Sequence, residues 1–219
     1  MLVKTYGAAV DGIDAILITI EVSVEQGIMY CIVGLPDTAV KESYQRILSS
    51  VKHSGQDFPR RKVVVNMSPA DVKKEGAAYD LPIAIGILAA DSRFESVRLG
   101  DFIIMGELSL DGSVLPIRGV LPMAIKAREM GVKGMIVPKA NATEAAVVNN
   151  LEVYGVDNLS QVISFFNGTL SLSPTVVNTR EEFAKASDIF DYDFDEVKGQ
   201  ENVKRAFEVA SAGGHNILL

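Results

Sequence analysis

The sequence is short of the residues most often used for covalent and metal chemistry: 219 residues hold one cysteine and two histidines. A lone cysteine, Cys31, excludes an internal disulfide, and its apolar setting (Ile28-Met29-Tyr30-Cys31-Ile32-Val33) reads as an inert core thiol. No group of His, Cys, Asp or Glu has metal-ligand spacing. Glu107 and Asp111 flank a turn as a carboxylate pair, with too few further donors for a divalent ion. No apolar run approaches the roughly 18–20 residues that cross a bilayer, so no membrane association is expected. Met1 to Tyr6 lack the basic-then-apolar pattern of a signal peptide, and a cytoplasmic location is expected. A long basic stripe is missing as well. The net charge is −7; residues 1–170 carry 19 acidic and 16 basic side chains, and residues 171–219 carry 9 and 5. That balance argues against strong nucleic-acid binding by this chain alone. The one basic cluster, Arg60-Arg61-Lys62 after Pro59, reads as a solvated face.

What is present centres on residues 63–90, VVVNMSPADVKKEGAAYDLPIAIGILAA. Val63-Val64-Val65 predicts a buried strand, and Ser68 to Gly76 a polar loop punctuated by Pro69 and Gly76. Leu81, Ile83, Ala84, Ile85, Ile87 and Leu88 make the next segment apolar on nearly every face, which predicts a short core helix. A strand, a charged loop and a helix start form a layout that can present backbone N–H groups and a side chain to a substrate. Ala77-Ala78-Tyr79-Asp80 stand at that helix start. Asp80 reads as an acid stabilising the first helical turn rather than as a catalytic carboxylate.

The rest of the chain alternates strands and helices. Leu2–Val10 and Ala15–Val24 are predicted strands around an Asp11-Gly12 turn, and Ile28–Leu35 a third of the same antiparallel type. Asp37 caps an amphipathic helix over 38–54, closed by Gly55, with His53 suited to its C-terminal end. Phe102–Leu110 and Val114–Ile117 are predicted as one hairpin around Asp111-Gly112. A helix follows over 119–130, then a strand at 134–137. Asn141 to Glu144 have capping-box spacing before a short helix. A last strand (151–156) and a helix capped by Asn158 complete the domain. The pattern predicts α/β with a mixed sheet, not a doubly wound nucleotide fold. Residues 1–170 are expected to be the first domain, 171–190 a Ser/Thr/Pro-bearing linker, and 191–219 the start of a second. There Gly213-Gly214 and His215 turn the chain from a helix (201–210) into Asn216–Leu219, read as the start of a buried strand. A strand without a partner suggests that the natural protein continues.

Three stretches carry a resemblance: KEGAAYDLPIA (74–84), MGELSLDG (105–112) and VLPIRG (114–119). Together they resemble the magnesium-chelatase-like ComM/YifB family of AAA+ ATPases along the whole chain. The N-terminal domain of that family is similar to the proteolytic domain of Lon proteases (a ribosomal-protein domain-2-like fold), which implies a mixed sheet packed by helices. It also implies where a Ser–Lys dyad would stand. Aligning Lys74-Glu75-Gly76 with the corresponding Lon run puts Ala78 at the serine position, and aligning Val114 to Ile117 puts Leu121 at the lysine position. A methyl group cannot attack, and a leucine has no proton acceptor to tune. Neighbouring Ala77 and Tyr79 supply no Ser or Thr either. The resemblance therefore implies a protease-like scaffold with no catalytic residues, although Ser109 or Ser113 would be the nucleophile of a rival, Ser-dependent peptidase reading.

Val197-Lys198-Gly199-Gln200 resembles the segment of AAA+ modules that lies against adenine, which makes Val197, Gly199 and Gln200 nucleotide-adjacent. A G-x-x-x-x-G-K-[ST] phosphate loop is absent from the 219 residues. ATP and magnesium are therefore implied for the full-length protein and no cofactor for these residues. The resemblance further implies a ring, a homo-hexamer, whose partners are its own AAA+ module, neighbouring subunits and DNA undergoing branch migration. A chelatase subunit of tetrapyrrole synthesis is a second rival. A DNA-contacting domain is a third, for which the charge balance predicts only weak duplex binding.

Overall fold

The computed structural model describes residues 1–94, 98–178 and 193–218. The chain divides into two compact units, Met1–Val177 and Asn178–Leu219. Unit 1 is a mixed α/β structure built on a seven-stranded sheet. Its strands are β1 (Leu2–Asp11), β2 (Asp14–Glu25), β3 (Met29–Val33), β4 (Lys62–Ser68), β5 (Phe102–Ile104), β8 (Gly134–Pro138) and β9 (Glu152–Val156), in the order β3-β4-β2-β1-β5-β8-β9. A separate two-stranded ribbon holds β6 (Glu107–Leu108) and β7 (Val114–Leu115). The helices are α1 (Thr38–His53), α2 (Asp80–Ala90), α3 (Val120–Glu129), α4 (Lys139–Ala145) and α5 (Leu159–Phe166).

Every residue of α2 is buried, as its unbroken apolar sequence demands. It packs on β1 and β2 and touches α1. At Gly86 the approach is so close that a Cβ would stand 2.7 Å from Val22 Cγ2. Its polar needs are met locally: the Thr5 hydroxyl donates to the Pro82 carbonyl at 3.1 Å. At the other end of the sheet, Phe102, Tyr154, Phe165 and Phe166 form a ring cluster with centroids 5.3–5.9 Å apart.

Several expectations are corrected. β3 pairs parallel to β4, not antiparallel to its predecessors, because α1 intervenes and returns the chain in the same direction. The expected strand 102–110 breaks at Met105-Gly106, with β5 in the main sheet and β6 in the ribbon. The Met105 N–H still donates to Ile136 O, whereas Gly106 turns to α2, donating to Ala78 O at 2.8 Å and accepting from Leu81 N at 3.0 Å. Asn141 does not cap α4; it lies inside that helix, which begins at Lys139 after Pro138. Its side chain is used elsewhere, as described below. The cap at Asp37 is present, with its carboxylate accepting from Val40 N at 2.8 Å, and Asn158 likewise accepts from Gln161 N at 3.0 Å. Cys31 lies on edge strand β3 and is half-buried rather than part of the core.

Beyond α5, residues 171–178 have no regular structure, and the Thr175 N–H donates to Val153 O at 2.7 Å. Most of the expected linker, 179–190, lies outside the described residues. In unit 2 the described residues form a 3-10 turn, Phe194–Glu196, and helix α6 (Glu201–Gly213). Residues 215–218 are exposed and not in a strand, and no strand in unit 2 is present among the described residues to pair with them.

Candidate functional site

An open cleft of about 850 Å³ lies where the N-terminus of α2 meets β1 and the loop before α3. Its floor is small and apolar: Ala8 and Ala9 of β1, Ala78, Tyr79 and Met105. One wall is the loop from Asp71 to Ala77, and the other runs from Pro116 to Gly119. Both walls are tied down. Asp37 caps α1 through one oxygen and accepts from Gly76 N at 3.0 Å through the other, and its own N–H donates to Lys74 O at 3.0 Å. On the opposite side Asn141 accepts from Ile117 N and donates to Ile117 O, each at 2.9 Å. Sequence reading took Asn141 for a cap and missed this clamp. Side-chain–backbone pairing between residues so far apart in sequence leaves no periodic signal.

Among the two positions implied for a dyad, Ala78 lines the cleft and Leu121 does not. Leu121 sits in the first turn of α3, 37% exposed, with its N–H donating to Glu144 Oε1 at 3.3 Å. Among the described residues no serine, threonine or cysteine lines the cleft. Ser109 and Ser113 face each other across the β6–β7 turn, where Ser109 N–H donates to Ser113 O at 2.9 Å. The start of α2 also offers less than its sequence promised. Asp80 N–H bonds Ala77 O, Leu81 N–H bonds Gly106 O, and Pro82 has no N–H. The first donors of the helix are therefore occupied, and these groups do not await an anion.

Asp80 itself points inward. It is buried and receives Arg46 Nε at 2.6 Å, Arg46 Nη2 at 3.0 Å and Leu108 N–H at 3.3 Å. Burial pushes its carboxyl up to about 6, against the downward pull of the guanidinium. It joins α1, α2 and the ribbon, and it is not among the residues that line the cleft.

The charges at the cleft are Asp11, Asp71, Glu75 and Glu107 against Lys73 and Arg118. Lys73 is held by Glu75 at 2.5 Å. Asp111, the other half of the suspected carboxylate pair, instead accepts Ser113 N–H at 3.0 Å, which holds it below the usual carboxylate range. Among the described residues no three His, Cys, Asp or Glu side chains are grouped to hold a metal ion. His53 contacts Ser49 O at 3.0 Å at the end of α1, and the His215 backbone N–H closes the last turn of α6 on Ala210 O at 2.8 Å.

One amine behind the wall is unusual. Lys74 is buried, donates to Pro69 O, and has no carboxylate within ion-pair distance among the described residues. Burial lowers its pKa from the ordinary 10.5. The unfolded chain then binds more protons than the fold over a window ending near 10.5, so this group makes stability rise with pH there. Lys74→Met should remove that rise. Urea midpoints at pH 7 and pH 10 check it: the wild type should gain on the variant at the higher pH, and parallel curves would contradict the assignment.

Val197 and Gly199 precede α6, and Gln200 is its N-cap, with φ +62. All three are exposed. They stand together on one short segment of unit 2.

The architecture, a mixed sheet with a cleft at the start of a wholly buried helix, defines an α/β domain of a known kind. Residues 20–141 match the profile of the family described as subunit ChlI of Mg-chelatase, and residues 193–219 match that of magnesium chelatase, subunit ChlI. The chain belongs to this magnesium-chelatase-like family, together with the ComM and YifB proteins. The competence protein ComM of Haemophilus influenzae is 37% identical over 219 residues, 100% of this chain and 43% of the relative. YifB of Escherichia coli is 37% identical over 212 residues, 95% of this chain and 40% of the relative. An archaeal Lon protease of Thermococcus kodakarensis is 30% identical over 129 residues, 56% of this chain and 20% of that protein. The chain thus spans about two fifths of the length of the ComM and YifB relatives. No helix among the described residues is long and apolar enough to cross a membrane.

Proposed function

We propose that unit 1 is a Lon-protease-like domain that keeps a substrate-sized cleft without the hydrolysis. In this reading it is the N-terminal scaffold of a cytoplasmic ComM/YifB motor, a hexameric ring that uses ATP to migrate DNA branches during recombination. The observation that carries it is the lining of the cleft: Ala78 at the nucleophile position, no Ser, Thr or Cys among the described residues that line it, and one hydroxyl, the Tyr79 phenol, which donates to Ala8 O at 3.3 Å. A Ser–Lys hydrolase needs both an attacking oxygen and a proton acceptor, and loss of either costs orders of magnitude in rate. Likeness to Lon proteases at about 30% identity supports the choice of scaffold. Val197, Gly199 and Gln200 suit contact with an adenine, but these residues alone do not fit a triphosphate, because no phosphate loop occurs in the sequence. ATP hydrolysis therefore belongs to the full-length protein.

Fluorescent casein and a fluorophosphonate probe test the first half. The chain should neither cleave nor label, with trypsin as the positive control. A labelled Ser109 or Ser113 accompanied by turnover would overturn the pseudoprotease. The motor is tested with the full-length protein on branched DNA, where failure to move the branch with ATP and magnesium would remove that half of the reading.

A further inference from the structure

A second cleft, of about 760 Å³, lies beside edge strand β3, where the end of α1 meets the loop leading into β4. Its base is aromatic. Tyr30 and Tyr44 lie with ring centroids 4.5 Å apart, and Phe58 meets Tyr44 edge-on at 5.7 Å. All three are half-buried, so ring surface is left to the cleft. On the rim, Ile28 and Met29 are 94% and 58% exposed.

The rest of the lining is basic. Lys52, Arg60, Arg61 and Arg93 stand against Asp57 and Asp91, an excess of positive charge on a chain whose net charge is −7. Arg61 and Arg93 share Asp91, at 3.7 and 3.1 Å. Lys52 and Arg60 have no ion pair among the described residues. The cluster at Arg60 and Arg61, read from sequence as a solvated face, is thus one side of a concave surface with aromatic rings at its base.

We propose that this cleft binds single-stranded nucleic acid, taking a base onto one ring face of the Tyr44–Phe58 corner, where the two ring planes stand at 80°, and flanking phosphates onto Lys52 and Arg60. Flat apolar rings accept a base of any sequence, and free cations on the rim neutralise the backbone. A duplex keeps its bases stacked internally and cannot use that ring face. An acidic peptide could use the charges but has no planar group to seat there. The cleft volume lies within the range that accommodates a nucleotide-sized ligand. This inference does not rest on the motor reading, and its test contains no ATP.

The test is fluorescence anisotropy of the 219-residue chain with labelled oligothymidine of about twelve nucleotides. Three competitors accompany it: an abasic strand of equal length, the corresponding duplex and a poly-glutamate peptide. The thymidine strand should bind at least about ten-fold tighter than the abasic strand. With two phosphates engaged, affinity should fall about seven-fold between about 50 and about 200 mM salt. Lys52→Glu with Arg60→Glu removes two exposed, unpaired cations and should weaken binding about ten-fold or more, while the thermal midpoint falls by no more than about 4 °C, because Lys52 lies in the last turn of α1. Phe58→Leu should reduce the preference for thymidine over abasic strand while leaving salt dependence in place. Equal binding of the abasic strand, duplex or peptide would overturn the proposal, as would indifference to the double charge reversal. Such a failure leaves the motor reading untouched, since branch migration is measured separately.

Discussion

Arg46→Ala is expected to destabilise unit 1 by about 3–5 kcal/mol. The guanidinium is the cationic partner of buried Asp80, at 2.6 and 3.0 Å, and it also donates to Ala39 O at 2.9 Å. Removing it strands a carboxyl inside the structure. Burial already pushes Asp80 up to about 6 with Arg46 in place. Without the guanidinium the carboxyl moves higher, so the fold retains a proton that the unfolded chain releases above its ordinary 3.8. A group whose folded pKa is raised in this way costs stability as pH rises through the window. The deficit of the variant should therefore shrink when pH is lowered from 7 to 5. Urea midpoints at both values decide the matter. A loss below about 1 kcal/mol, the scale of an exposed pair, or the same loss at both pH values would refute the role given to this pair.

Gly34→Ala should cost about 3 kcal/mol or more and lower the yield of folded protein. Gly34 follows β3 with φ +99, and a Cβ there would overlap the carbonyl group of Met67 at the end of β4. The obstacle is backbone, so no side chain can swing aside to make room. Gly55→Ala is the matched control. That residue also has positive φ, +74, but a Cβ would meet nothing within 4 Å, so only the conformational cost of about 1–2 kcal/mol applies. If the two variants melt together, close approach at Gly34 is not what holds the β3–β4 pair in register.

Much of the fold was legible because its signals are local. An unbroken apolar stretch predicted the buried helix, Asp37 and Asn158 announced caps, and Asp11-Gly12 announced a hairpin. The errors arose where the deciding partner was remote. Nothing within residues 28–35 tells whether the strand runs parallel or antiparallel to residues 62–68; the helix between them decides. The break at Gly106 depends on hydrogen bonds to Ala78 and Leu81. Asn141 satisfied a capping pattern, but Ile117 competed for its amide and won. The cleft was legible in part. The residues at 77–80 were placed at its edge, whereas their occupied N–H groups, and the aromatic bowl behind Arg60, required three dimensions. Tyr44 and Leu48 of α1 likewise line the second cleft, which the helical spacing of that segment does not reveal.

The sheet also imposes an order on synthesis. β1 forms a hairpin with β2 within its first 25 residues, but its other neighbour is β5, matched at Tyr6 and Ile103. At about 5–20 residues per second, a growing chain waits on the order of several seconds before that neighbour leaves the ribosome. Throughout that interval one side of β1 is an open template for any other extended chain. Crowded polysomes therefore add an exposure to aggregation that the finished sheet, with β1 paired on both sides, no longer has at that strand.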